Sequence, residues 1–206
     1  MRQVRSGSKV ITAAGVRERL AAASQVASWL RFYSDAESAC DVMVGGDNVT
    51  AAGQIPGTKA GVTVKKGALR GLFIPGPMDL HDVWLDVQTN GDGVHFTYEL
   101  GGNAMGILAS GSKVVTTAGA PQRIVADDTY ADWLLIQADD ANTGDAVVGD
   151  RTVVAATGGA TGNRRGIYLK EGGGIPVELR GRLNLKDVWV DVENNGDAVH
   201  FTYLKV

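Results

Sequence analysis

The sequence predicts an all-β chain of two tandem, homologous small β-sandwich domains, jelly-roll-like and derived from an internal duplication. Three observations predict it. Residues 82–98, DVWLDVQTNGDGVHFTY, and residues 187–203, DVWVDVENNGDAVHFTY, agree at thirteen of seventeen positions. Glycine supplies 28 of the 206 residues and punctuates short apolar runs. Those runs recur at the roughly 8–12-residue spacing of a sandwich or barrel.

The strands of the first copy follow in order. Lys9–Ala13 is an apolar run closed by Gly15. Glu18–Ala23 lies in an Ala-rich stretch, Arg17–Ala27, whose composition alone would suit a helix. Its counterpart Pro121–Tyr130 contains Pro121 and β-branched residues, so strand is the reading in both copies. Ser28–Ser34 carries Trp29, repeated as Trp133, and Asp41–Val44 ends at Gly45-Gly46. Val62–Lys65 lies between Gly61 and Gly67, and Leu72–Ile74 between Gly71 and Pro75. Asp82–Gln88 and Val94–Glu99 flank Asn90-Gly91-Asp92. The second copy repeats these as Lys113–Thr117, Gln122–Ala126, Asp132–Gln137, Asp145–Val148, Gly166–Leu169, Ile175–Leu179, Asp187–Glu193 and Val199–Leu204.

The duplication covers most of the chain. GSKVITAAG at 7–15 returns as GSKVVTTAG at 111–119, an offset of 104 residues. The closing segments match at 105, which places a net one-residue indel between Gly45 and Asp82. A solenoid repeat is shorter, about 20–50 residues, so two complete domains are expected. They are residues 1–99 and 111–206, joined by a Gly-rich linker at 100–110.

Charge excludes some partners. The net charge is −3. Residues 1–104 hold ten basic and ten acidic side chains, and residues 105–206 hold ten and thirteen. Nucleic-acid binding needs a clustered Lys/Arg face, which is absent, so no nucleic acid is expected. Lys65-Lys66 and Arg164-Arg165 read as solvated loop tips. The single cysteine, Cys40, aligns with Gly144 and allows no intramolecular disulfide. No apolar run approaches the ~18 residues of a membrane helix, and no secretory signal is read at the N-terminus.

The segment around each Asn-Gly reads as a β-hairpin with a type I′ turn, which requires positive φ at both central residues. Alternation puts Val83, Leu85 and Val87 on one face and Asp82, Trp84 and Asp86 on the other. Val94, Phe96 and Tyr98 oppose His95 and Thr97, and the second copy repeats this with Val199, Phe201 and Tyr203 against His200 and Thr202. The aliphatic face is the core. The Asp–Trp–Asp and His–Thr face reads as a solvated strand face rather than a metal or acid–base site. Trp84 and Trp189 either lie under a loop of their own domain or meet a partner. The acidic group Asp127, Asp128, Asp132, Asp139 and Asp140 aligns with Ala23, Ser24, Ser28, Asp35 and Ala36. It reads as a solvated loop or a contact for a basic partner; calcium is the lesser alternative. No catalytic residue, cofactor or metal is assigned. Diverged positions are the expected carriers of specific function, chiefly Arg31–Asp35 with Cys40, the loops Gly53–Gly61 and Gly158–Gly166, and Asp127–Asp140. The candidate interface residues are Trp84, Trp189, Arg31, Tyr33, Asp127, Asp128, Asp132, Arg164 and Arg165.

GSKVVTTAG, WLLIQA, NTGDAVVGD and the closing DVWVDVENNGDAVHFTY, in that order, resemble small virion accessory proteins of tailed bacteriophages. These include capsid decoration or cement proteins and head- or tail-associated β-sandwiches. The resemblance implies a non-enzymatic structural protein, made in the host cytoplasm and located on the virion. Its partner would be the major capsid protein or a neighbouring virion protein, with dimers and trimers both open, and no membrane. The alternative is a tail- or fibre-associated module that binds carbohydrate or receptor by stacking on the two Trp faces.

Overall fold

A computed structural model describes residues 3–34, 38–51, 57–67, 71–101, 106–155 and 164–205. The described strands of the first copy are β1 (Gln3–Val10), β2 (Glu18–Arg19), β3 (Val26–Ser34), β4 (Val42–Gly45), β5 (Val62–Val64), β6 (Leu72–Asp79), β7 (Trp84–Val87) and β8 (Gly93–Leu100). The second copy gives β9 (Ile107–Val114), β10 (Gln122–Arg123), β11 (Tyr130–Ala138), β12 (Ala146–Gly149), β13 (Ile167–Leu169), β14 (Val177–Asn184), β15 (Trp189–Val192) and β16 (Ala198–Lys205). One turn of 3-10 helix precedes β7 (Leu80–Asp82) and another precedes β15 (Leu185–Asp187).

Two compact units result. One comprises Met1–Ala52, Ala60–Ser110 and Val206, and the other Gly53–Lys59 and Gly111–Lys205. Each contains two four-stranded sheets, ordered β1-β8-β3-β6 and β2-β7-β4-β5 in unit 1, and β9-β16-β11-β14 and β10-β15-β12-β13 in unit 2. This is the eight-stranded jelly-roll order, as expected from the sequence. Alternation fills the space between the sheets. In unit 1, Leu30, Phe32 and Ile74 from one sheet and Val42, Val44, Leu85 and Val87 from the other are buried. In unit 2, Leu134, Ile136, Val199 and Phe201 pack with Ala146, Val148, Val190 and Val192.

Three expectations need correction. Ile107–Ser110, read as linker, is the beginning of β9, while residues 102–105 lie outside the described residues. The first strand of each copy begins earlier than expected, because its partner β8 runs on to Leu100 and pairs back to Gln3. The Asn-Gly segment is not a hairpin, because β7 and β8 belong to opposite sheets. Among the described residues every positive φ belongs to glycine, so Asn90 cannot serve a type I′ turn. Gly91 has φ +89° and Asp92 N–H donates to Thr89 O at 3.4 Å, which fits a type II turn with glycine at its third position. Asn90 Oδ1 accepts Ala14 N–H at 2.7 Å, and Asn195 Oδ1 accepts Ala118 N–H at 2.7 Å. Asn-Gly is therefore retained to carry the chain between sheets and to hold the loop after β1 or β9.

The indel also finds its place. Thr50 bridges to Ala60 and Val154 to Arg165, so the extra residue falls in the loop after β4 or β12.

Candidate functional site

The Asp–Trp–Asp face was expected to be solvated, and the structure corrects this. Asp86 is 1% exposed and Asp191 0%. Asp86 accepts the backbone N–H of Ala51 at 2.7 Å and of Val87 at 2.8 Å. Asp191 accepts those of Ala155 at 2.7 Å, and of Gly119 and Val192 at 2.9 Å. A buried carboxylate needs such donors, and here they tie a loop over the sheet. Under that loop Trp84 packs on Met43, Val49 and Ala51, and Trp189 on Val147, Val153 and Ala155. The Arg19 guanidinium carbon lies 4.6 Å from the Trp84 ring centroid, and that of Arg123 4.9 Å from Trp189. Both indoles are thus half-buried parts of a small outer core. Trp189 also borders a hollow of about 420 Å³ with Lys113 and Pro121–Ala126.

The other charged candidates divide. Asp127, Asp128 and Asp132 are exposed. Asp128 accepts Asn184 Nδ2 at 2.7 Å and lies 3.3 Å from Lys186 Nζ. In the first copy the same position is Ser24, which donates to the carboxylate of Asp79. The acid has moved across the strand pair, which explains one of the acidic residues peculiar to the second copy. Asp139 Oδ2 accepts Gly57 N–H at 2.9 Å and Asp140 pairs with Lys59, all within unit 2. No group of three His, Cys, Asp or Glu suited to a metal occurs among the described residues. Arg165 is exposed, whereas Arg164 is half-buried, pairs with Glu193 and lies 4.7 Å from the Tyr168 ring centroid, so it is not a solvated tip. Asp35, Gly53–Pro56 and Gly158–Asn163 lie outside the described residues.

Cys40 marks a local difference. Its thiol donates to Asp92 Oδ2 at 2.7 Å, and its N–H to the same oxygen at 3.0 Å. Burial raises the Asp92 carboxyl, but hydrogen bonds from Cys40 and the Ala39 N–H more than offset it, leaving the pKa below its ordinary value. Gly144 supplies only its N–H to Asp197, at 2.9 Å, and burial there keeps the carboxyl above its ordinary value.

Among the described residues the two copies differ on the outer face of the sheet that contains β3 or β11. A bulge after Ala27 in β3, repeated after Ala131 in β11, shifts the register just before Trp29 and Trp133. Arg31 and Tyr33 follow on the outer face of β3, because Leu30 and Phe32 face the core. Arg31 opposes Phe73 on β6 and Thr97 on β8. Trp29, Arg31, Tyr33, Phe73 and Thr97 line a hollow of about 320 Å³. The Trp29 and Phe73 ring centroids are 6.3 Å apart, and the Arg31 guanidinium carbon lies 5.4 Å from the Phe73 centroid. Arg31 is exposed and the other four are half-buried.

In unit 2 this face is closed. Trp133 is 1% exposed, Leu135 4%, and His200 and Thr202 0%. Glu178 replaces Phe73 at the register position and accepts the Trp133 indole N–H at 2.7 Å. Gln137, in place of Tyr33, donates to the carbonyls of Gly173 and Gly174 at 2.6 and 2.7 Å.

The sequence pointed to Arg31 and Tyr33, and the structure brings them together. Trp29, Phe73 and Thr97 were missed. Trp29 is retained as Trp133 and so read as a folding residue. The Phe73-to-Glu178 exchange lay in the stretch whose alignment the indel blurred.

No family model matches the chain, and no curated protein matches it. A chain from the atomic structure of Sulfolobus Turreted Icosahedral Virus aligns with 99% of this chain and 90% of its own, at 8% identity and a TM-score of 0.42. That is a likeness to a chain of a virus structure, and at that score it carries no argument about function.

Proposed function

We propose that this chain is a non-enzymatic structural protein of a bacteriophage virion, which binds and reinforces the particle surface as a decoration or cement protein. Its contact surface is the open outer face of unit 1, and its partner is the major capsid protein or a neighbouring virion protein. The observation that carries the contact role is the opposite fate of one face in two copies of one fold. In unit 2 Trp133, Leu135 and Gln137 are buried and Gly57, bound by Ser112 and Asp139, lies against the same sheet, whereas unit 1 leaves aromatic rings and a guanidinium accessible. Aromatic and Arg side chains are the residues enriched where interfaces hold most of their energy. The resemblance of the repeated turn and strand motifs to phage accessory proteins supplies the setting.

The carbohydrate-binding alternative called for stacking platforms at Trp84 and Trp189. Each indole has apolar loop residues against it and a guanidinium near its ring, so neither is the freely exposed platform that this alternative called for, although Trp189 borders a hollow. Mass spectrometry of purified particles, with co-sedimentation of the purified protein, tests the proposal. The protein is expected in mature particles and bound to particles that lack it; absence from the one and failure to bind the other overturn the reading.

A further inference from the structure

We infer that the hollow on the outer face of unit 1 takes a carboxylate-bearing, apolar-flanked segment of the partner protein; this rests on the reading of that face as the contact surface. The hollow offers donors in excess of acceptors. Among the described residues Arg31 has no carboxylate partner, and neither the Trp29 indole N–H nor the Tyr33 hydroxyl has a hydrogen-bond partner. No carboxylate lines it. Glu99, the residue opposite Trp29, is buried, and His95, opposite Tyr33, is the other titratable neighbour on β8. Unit 2 shows what this position accepts. There the Trp133 indole N–H is bound by a carboxylate, that of Glu178, which also takes Arg180 at 2.8 Å. Unit 1 has exchanged that internal carboxylate for Phe73 and placed a guanidinium beside the vacated partner. Glu99, the buried acid of unit 1 opposite Trp29, is not among the residues that line the hollow, so the hollow itself presents donors without a carboxylate.

The stacking of Arg31 favours a protein segment over a sugar. A guanidinium lying on a ring keeps its in-plane N–H groups free for a bidentate carboxylate. It also lies over the Phe73 ring and so takes that ring from a stacking pyranose. Trp29 and Tyr33 then supply apolar wall for a side chain flanking the acid.

The experiment is an NMR titration of the full chain, observing the Trp29 indole N–H signal, assigned with Trp29→Phe. The probes are acetyl-Leu-Glu-Leu-amide, the same peptide with Gln for Glu, and a glucuronate disaccharide. The Glu peptide is expected to shift the Trp29 signal and to leave Trp84, Trp133 and Trp189 unmoved. Arg31→Lys keeps the charge but loses the fork, and should weaken that binding at least tenfold, with the circular dichroism spectrum unchanged. Equal shifts from the Gln peptide, a response to the disaccharide alone, or no shift at all overturns the inference. If particles bind the protein and Arg31→Gln binds them equally well, this inference fails while the broader function stands. If the Glu peptide binds and particles lack the protein, the reverse holds.

Discussion

Arg31 faces Phe73 across the β3–β6 pair, its guanidinium carbon 5.4 Å from the ring centroid, where the second copy sets Leu135 against Glu178. One register position thus carries two chemistries on an otherwise repeated sheet. The core side of the same strands hardly changes: Leu30 and Phe32 become Leu134 and Ile136, all buried. Duplication preserved what folds each sandwich and changed what its outer face presents.

Glu178 is expected to stabilise unit 2 through the indole it binds. Glu178→Ala leaves the Trp133 N–H buried without its acceptor, a loss of about 1–3 kcal/mol. Phe73→Ala, at a half-buried site with no polar group to strand, should cost unit 1 less. Chemical denaturation followed by unit-specific NMR signals checks both.

Leu85 lies in the core of unit 1. Leu85→Ala should destabilise that unit by about 2–5 kcal/mol, and Leu85→Asp should unfold it by stranding a charge. Wild-type thermal stability in Leu85→Asp would contradict the assignment of the core face.

Asp86 and Asp191 make parallel predictions. Removing either strands two or more backbone donors that bond to a charged group, so Asp86→Ala should cost unit 1 about 3 kcal/mol or more. Hydrogen exchange at the Ala51 amide should accelerate first, because that N–H loses its acceptor. Unchanged protection at Ala51 would mean that the loop is held by Trp84 packing alone.

Acid should act first on unit 1. The Glu18 carboxylate pairs with Lys9 at 2.7 Å and accepts the Thr12 N–H and hydroxyl, and these contacts lower its pKa to about 2. A depressed carboxyl stabilises the fold above its unfolded pKa, about 4.3, and that stability is lost as pH falls towards the folded value. Asp92 adds to the loss with the same sign, being depressed by Cys40 and Ala39 against the effect of burial. The second copy has the neutral pair Gln122 and Thr116, at 3.1 Å, in place of the Glu18 contacts. Its Asp197 is raised by burial, so protonation there favours the folded state as pH falls through that raised pKa. Its depressed Asp128 and Asp150 are exposed and screened. Unit-resolved hydrogen exchange between neutral pH and about pH 3 should show unit 1 opening first, and Glu18→Gln should reduce the difference. Simultaneous opening would contradict the assignment of these pKa shifts.

Sandwich architecture and core faces were legible in the sequence, because period-two alternation and glycine punctuation report local geometry directly. Strand partners were not. Asn90-Gly91 satisfies the composition of a hairpin turn, yet β7 and β8 lie in different sheets, and only the tertiary fold decides which. The burial of Asp86 and Asp191 was illegible for a related reason. An aspartate alternating with Trp reads as solvent-facing until a distant loop, Val49–Ala51 or Val153–Ala155, folds over it. Arg31 and Tyr33 were visible as divergence between copies. Phe73 was hidden because the indel obscured its alignment with Glu178.

A reconstruction of the particle carrying the protein, at a resolution that orients its two sandwiches, tests the account most directly. The outer face of the β1-β8-β3-β6 sheet, with Arg31 and Phe73, should lie against a neighbouring protein. A particle-bound chain with that face in solvent and its contacts made elsewhere would contradict the account.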